Sequence, residues 1–293
     1  MMPLVSIGVP TYNRPELLDR TLTELREQTY KNIEIIVSDN CSPDNKVREV
    51  IWKHRDADSR IRAYFQDTNI GINANHRFVR DRARGEYFAF SSDDDHHELE
   101  FIEKLIEPML ADPSMQVVVC GTVRVDTDGR YFDSTSLHEL NKSGWPIWYV
   151  LDAMRNERLS FMQVMVWKTG TSRKLDPTPD EYHGKDVVIN AGMLMSQKAV
   201  YVDQYLFTKG LEHDLIREQV SRNPLVFVRM WYMLVKTLAV SPHIPTARKL
   251  WIPLIAGTNG VWVIRNYLAQ ILFLLPVDHP VRVGIRKVLR RGE

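Results

Sequence analysis

Cysteine is nearly absent from this chain. Two occur in 293 residues, Cys41 and Cys120, far apart and without metal-ligand spacing. Neither a disulfide framework nor a zinc site is expected, and a reducing cytoplasm suits the composition. Net charge is also missing, because 38 basic residues face 37 acidic ones. No global field therefore marks nucleic acid or an acidic polymer as the partner, and any electrostatic function must be local. No apolar run reaches the roughly 20 residues a membrane-spanning helix needs; Arg248, Lys249 and Arg265 interrupt the apolar C-terminal stretch. The opening MMPLVSIGVP lacks a basic leader and a small-residue cleavage site, and is expected to be a first strand rather than a signal peptide. Nor does a glycine-rich phosphate loop follow that strand, where the chain reads Val9-Pro10-Thr11-Tyr12.

What is present can build a sizeable core: 44% of residues are hydrophobic and 26% charged, ordinary values for a globular protein. Leu4 to Val9 is an apolar run ending at Pro10, consistent with a buried parallel strand and a sharp exit. Pro15 to Gln28 reads as a helix, with Leu17, Leu18, Leu22 and Leu25 at helical spacing and Pro15 in the first turn. Asn32 to Val37 is a second strand, Val47 to His54 a helix, Ile61 to Phe65 a third strand and Asn75 to Ala83 a helix. Glu86 to Phe90 is a further strand, as is Val117 to Val125. The alternation predicts an α/β fold with a mostly parallel, doubly wound sheet.

The strand at Glu86 to Phe90 delivers Asp93, Asp94 and Asp95. Three adjacent carboxylates repel one another and need solvent, hydrogen bonds or a cation. Mg²⁺ and Mn²⁺ accept such oxygen ligands, using one or two carboxylates and filling the other positions with water and substrate phosphates. Ligands of open α/β sheets bind beyond the carboxyl ends of the strands. Three polar clusters occupy such ends: Pro10-Thr11-Tyr12-Asn13, Asp39-Asn40 and Ser92 to Asp95. They are expected to converge. Tyr12 supplies a flat face and Asp39 an acceptor, which a nucleobase with an imide N–H requires; the competing readings are a packing tyrosine and a turn aspartate.

The runs VSIGVPTYNRPELLDRTLTELREQTYKNIEIIVSDNCSPD, TNIGINAN and ARGEYFAFSSDDD occur in that order. Together they resemble the N-terminal half of the family 2 inverting glycosyltransferases of GT-A fold, across roughly residues 4 to 110. The resemblance implies a base pocket at Pro10, Thr11, Tyr12, Asn13 and Asp39, with Asn69, Gly71 and Asn75 also lining the nucleotide. It implies a divalent cation, Mn²⁺ or Mg²⁺, at the Asp-rich turn. Asp94 is the expected main ligand, Asp93 lies nearer the ribose, and Asp95 supports or binds through water. Ser92 departs from the family's Asp-x-Asp-Asp, and Cys41 stands where glycine is common.

Inverting transfer needs a carboxylate to take the acceptor proton. Asp186 in HGKDVVINAGML and the Glu212–Asp214 segment compete, and the resemblance favours Asp186, although Lys185 replaces the family's first acid. A helix N-terminus there would keep Asp186 ionised, while a plain helix cap is the structural alternative. His213 is then a metal or phosphate contact. His96 and His97 are expected in a solvated loop. Trp145, Trp148, Tyr149, Phe161 and Trp167 make an aromatic region suited to an acceptor pocket or to a satellite core.

From Asn223 the chain reads as short helices broken by proline, and the basic amphipathic stretches Val261 to Leu275 and Val281 to Arg291, with Trp251 and Trp262, suit either packing or a membrane surface. The expected organisation is a nucleotide-sugar-binding half at 1–115, an acceptor and catalytic-base half at 116–220, and a helical region at 221–293. The expected activity moves a sugar from a UDP- or dTDP-sugar to a saccharide or lipid-linked acceptor at the inner face of the membrane, in cell-surface polysaccharide synthesis. A nucleotidyltransferase and a non-catalytic sugar-binding or scaffolding protein are the alternatives.

Overall fold

The computed structural model describes residues 2–125, 130–135, 165–174 and 198–210, with a few positions between 232 and 257. Asp186, His213 and the competing Glu212 and Asp214 lie outside them. Strands β1 (Val5–Thr11), β2 (Ile33–Asp39), β3 (Ile61–Phe65) and β4 (Tyr87–Phe90) alternate with helices α1 (Pro15–Glu27), α2 (Asn45–Ala57) and α3 (Ile72–Asp81). There follow β5 (Asp95–His97), α4 (Phe101–Ala111), β6 (Val117–Val125), β7 (Tyr131–Thr135), β8 (Met165–Lys168), α5 (Thr169–Lys174) and β9 (Ala199–Gly210).

One sheet of nine strands runs β3-β2-β1-β4-β8-β6-β9-β5, with β7 alongside β6. The expected mostly parallel α/β sheet is borne out: β3, β2, β1 and β4 pair in parallel, as do β6 and β9. Antiparallel joins occur at β4–β8, β6–β8, β6–β7 and β5–β9. The chain winds outward from β1 to β3 and returns through α3 to β4. Right-handed crossovers then put α1 and α2 on one face and α3 on the other. Every residue of β1, β2 and β4 is buried in consequence. Gly8 permits the close seating of α3, since a Cβ there would lie 2.7 Å from Phe88 Cζ and 2.8 Å from Val79 Cγ2.

Two boundaries differ from the sequence expectation. β1 does not exit at Pro10 but continues to Thr11, with Pro10 in register with Ser38. The missing N–H costs nothing, because β4 has ended its pairing at Gly8–Phe90 on that side. α3 begins at Ile72 rather than Asn75, entered through Gly71 at φ 85, a left-handed conformation that glycine adopts without strain.

At the amino-terminal edge of the sheet a buried carboxylate is fully used. Glu34 accepts from Ser6 Oγ at 2.6 Å, from the Arg84 N–H at 2.7 Å and from Arg62 Nη1 at 2.7 Å. Ser6 Oγ in turn accepts from the Gly85 N–H at 2.8 Å. Burial opposes the Glu34 charge, but these donors outweigh it and hold its pKa below the ordinary glutamate value. The stability it contributes is therefore fully present above about pH 4.3 and is lost as pH falls through the lower folded-state pKa. Glu34→Gln should cost about 2 kcal/mol at neutral pH, because the charge opposite Arg62 is gone. In thermal denaturation the gap to wild type should narrow below about pH 4; a gap that ignores pH would show that the charge contributes nothing.

Candidate active site

The three polar strand ends do meet. Asn40 N–H donates to Thr11 O at 3.0 Å and Ser91 N–H to Gly8 O at 3.0 Å, so the ends of β1, β2 and β4 are joined by backbone hydrogen bonds. Strand order reverses between β1 and β4, which makes their carboxyl ends the switch point where such sheets bind ligands.

The acidic turn sits there. Asp93 is 5% exposed; its Oδ2 accepts from Thr11 Oγ1 at 2.7 Å and its Oδ1 from Arg14 Nη1 at 3.2 Å. Burial pushes its pKa up, against Arg14, Thr11 and the Tyr12 N–H, which favour the charge. Asp94 is more open and accepts from Arg14 Nη1 at 2.8 Å through Oδ2. Asp95 is buried and accepts from the Ser92 N–H at 3.0 Å. Burial and the neighbouring Asp94 push its carboxyl up to about 7, with Lys209 opposing.

One face of α1 cradles the turn. Thr21 Oγ1 lies 3.1 Å from Asp93 O and 3.2 Å from Asp95 O, and Arg20 Nη2 donates to Asp94 O at 3.0 Å. A turn later, Glu24 accepts from the His97 N–H at 3.1 Å and pairs with His96 Nδ1 at 2.7 Å. The expectation of a solvated loop at His96 and His97 fails: both belong to β5, whose partner is β9. His97 is buried between Phe101 and Phe207, with ring centroids 4.9 Å and 5.3 Å away, and neither ring nitrogen has a hydrogen-bond partner among the described residues. Burial, with His96 adding, pushes its pKa down to about 3, so the ring is neutral.

Beside the turn lie the residues expected at a base. The Tyr12 side chain is 45% exposed and free to offer a face. Asn13, at φ 56, donates its N–H to Ser42 Oγ at 2.8 Å. Asp39 is buried and its Oδ1 accepts from the Ser42 N–H at 3.0 Å and from Ser42 Oγ at 2.5 Å, while Oδ2 has no protein partner among the described residues. The 67–71 loop is fastened to β2 by Asn40, which donates to Asn69 Oδ1 at 3.0 Å and accepts from the Ile70 N–H at 2.9 Å. Asn69 Oδ1 also accepts from the Gly71 N–H at 2.9 Å. Asn75 is buried and commits both ends of its amide to Ser38, at 2.6 Å and 3.0 Å. It braces the strand end that carries Asp39.

Sequence reasoning passed over Arg14, Arg20, Thr21 and Glu24. Thr21 carried a signal: a hydroxyl on the buried stripe of α1, between Leu18, Leu22 and Leu25. Of the expected acceptor-side aromatics, Trp167 is fully buried against Phe88 and Phe90, and the others lie outside the described residues.

Among the described residues no three His, Cys, Asp or Glu side chains form a self-sufficient metal cage. The donors nevertheless fit a cation that takes one or two carboxylates and completes its shell with diphosphate and water. Asp94 keeps Oδ1 without a protein partner among the described residues, on a side chain that is 28% exposed.

A doubly wound sheet whose polar strand ends close around an acidic turn at the switch point defines an α/β protein with its candidate ligand site at that switch point. Residues 6–175 match the profile of glycosyl transferase family 2. That is more than half of the 293 residues, and the chain belongs to this family. A Campylobacter jejuni protein named GalNAc(5)-diNAcBac-PP-undecaprenol beta-1,3-glucosyltransferase is 40% identical over 96 residues, 32% of this chain and 30% of that one. The chain spans less than half the length of the curated relatives it matches first. Staphylococcus aureus TarS in complex with UDP-GlcNAc superposes with a TM-score of 0.67 at 18% identity, over 85% of this chain and 70% of that one. The mannosyltransferase PcManGT from Pyrobaculum calidifontis, in complex with GDP-Man and Mn²⁺, gives 0.63 at 15% identity, over 100% and 81%. These likenesses show the GT-A fold.

Cys41 adjoins the pocket at φ 62 and is exposed. A non-glycine residue there carries roughly 1–2 kcal/mol of strain, partly offset by the greater chain entropy glycine would lose. Cys41→Gly should therefore raise stability by about 0.5 kcal/mol, and Cys41→Val should lower it by more than about 1 kcal/mol. Equal denaturation midpoints for the two variants would show that the turn does not demand this conformation.

Proposed function

We propose that this chain is a metal-dependent inverting glycosyltransferase that moves a sugar from a nucleoside diphosphate sugar to a hydroxyl acceptor. The observation that carries the reading is the meeting of Tyr12, Asp39 and the Asp93–Asp94 pair at one switch point, in a chain of this family. In this reading Tyr12 stacks on the base. The partnerless Oδ2 of Asp39 accepts an imide N–H, which makes uracil or thymine the preferred base. Asp93 serves the ribose and Asp94 holds Mn²⁺ or Mg²⁺, with Asp95 and His213 as further contacts. The bound cation neutralises charge on the departing diphosphate. Asp186 takes the proton of the acceptor hydroxyl as its oxygen bonds to the anomeric carbon and the bond to the diphosphate breaks.

A saccharide or lipid-linked acceptor at the cytoplasmic face of the membrane fits relatives named for undecaprenol-linked and teichuronic acid chemistry. Among the described residues no helix is long and apolar enough to cross a membrane, and the proposed contact there is peripheral, through 221–293.

Thermal stabilisation by a panel of nucleoside diphosphates tests the reading, because a ligand that binds the folded state raises the midpoint by mass action. UDP or dTDP with Mn²⁺ should give the largest rise. Asp94→Ala should abolish the Mn²⁺-dependent part and lower transfer by about 100-fold or more. Full transfer by Asp94→Ala, with unchanged Mn²⁺-dependent nucleotide binding, would overturn the assignment. Release of inorganic pyrophosphate instead of nucleoside diphosphate would mark a nucleotidyltransferase.

A further inference from the structure

Arg14 immediately precedes α1, and one of its nitrogens does all its work. Nη1 donates to Asp93 Oδ1 at 3.2 Å and to Asp94 Oδ2 at 2.8 Å. Nε and Nη2 have no hydrogen-bond partner among the described residues. A guanidinium committed to a carboxylate normally engages it with two parallel hydrogen bonds, and that fork is the strong arrangement. Here a single nitrogen is shared between two acids, and the Arg14 and Asp94 side chains are 25% and 28% exposed. Such a pair is held weakly. Asp93 would survive its loss, because it keeps Thr11 Oγ1 and the Tyr12 N–H. Asp94 would not, because Arg14 is its one side-chain partner among the described residues.

We propose that Arg14 is a resident placeholder cation. It neutralises Asp93 and Asp94 while no donor is bound and yields Asp94 when the sugar nucleotide brings a divalent cation. This rests on the metal-dependent reading above and adds to it an order of events. A fixed positive charge on the ligand oxygens repels a free divalent ion, so the nucleotide-free protein holds the cation poorly. Nucleoside diphosphate supplies the missing negative charge and tips the exchange. The arginine thus makes cation and nucleotide binding depend on each other. By linkage, the factor by which UDP improves Mn²⁺ affinity equals the factor by which Mn²⁺ improves UDP affinity. Part of that factor is the withdrawal of Arg14 from Asp94 toward the negative charge of the bound diphosphate.

The test is Mn²⁺ binding to the full chain without nucleotide, read from the electron paramagnetic resonance signal of free Mn²⁺, and then repeated with UDP. Arg14→Gln should tighten nucleotide-free Mn²⁺ binding by roughly tenfold, since a neighbouring unit charge has been removed from a partly screened site. The mutual improvement between Mn²⁺ and UDP should shrink by the same factor. Arg14→Lys, which retains the charge, should behave as wild type. Arg14→Met, which keeps the apolar stem, should match Arg14→Gln and serves if the amide variant does not fold. Asp94→Asn should lose the site. Unchanged or weaker nucleotide-free binding in both neutral variants, with Asp94→Asn still losing the site, would overturn the placeholder and leave the metal reading standing. Wild-type Mn²⁺ binding by Asp94→Asn would overturn both.

Discussion

Three consecutive carboxylates must be held against their mutual repulsion at the end of β4, and much of the architecture around the switch point answers that demand. Each acid meets a different compensation. Asp93 is given a hydroxyl, a backbone N–H and a share of Arg14; Asp94 is given the rest of Arg14 and access to solvent; Asp95 is turned inward onto the Ser92 N–H. The main-chain carbonyls of all three face α1, where Arg20 donates to Asp94 O and the single Thr21 hydroxyl is shared between Asp93 O and Asp95 O. The turn is therefore fixed by its backbone, which leaves the Asp94 side chain adjustable. That division suits a ligand site, where a rigid frame positions a group whose own partner can change.

The two ends of the parallel block show the contrast. At the amino-terminal edge Glu34 is buried with both carboxylate oxygens hydrogen-bonded, by Ser6 and the Arg84 N–H on one and Arg62 on the other. At the carboxyl edge Asp39 Oδ2 and Asp94 Oδ1 have no protein partner among the described residues. Satisfied buried polar groups rigidify a fold, and unsatisfied ones mark where it meets something else. The same sheet carries both because all four strands of the block run the same way, which gathers every strand end of one kind on one side.

The parallel block was legible in the sequence because strands buried on both faces read as continuous apolar runs, as in Ile33–Val37 and Tyr87–Phe90. The helix of Leu18, Leu22 and Leu25 was equally plain from its period. β5 was not, since Asp95-His96-His97 has no apolar residue and becomes a strand only because β9 reaches it through tertiary pairing. The residues expected at a base were named from the family resemblance, because a tyrosine or an aspartate after a strand also has ordinary packing and turn uses. Arg14 escaped notice because an arginine before a helix has many uses, and only distance in space reveals that it spans Asp93 and Asp94, about eighty positions away in the chain.

β5 also explains how the acidic turn is held from two sides. Its backbone pairs Asp95 with Lys209 and His97 with Phe207 on β9, while Glu24 of α1 holds it from the other side. The turn is thereby clamped between α1 and β9. His97 is the wedge in that clamp: a neutral ring set edgewise to Phe101 and Phe207, with no hydrogen-bond partner among the described residues. Phenylalanine in its place would fill similar space and remove the cost of two buried, unpaired nitrogens.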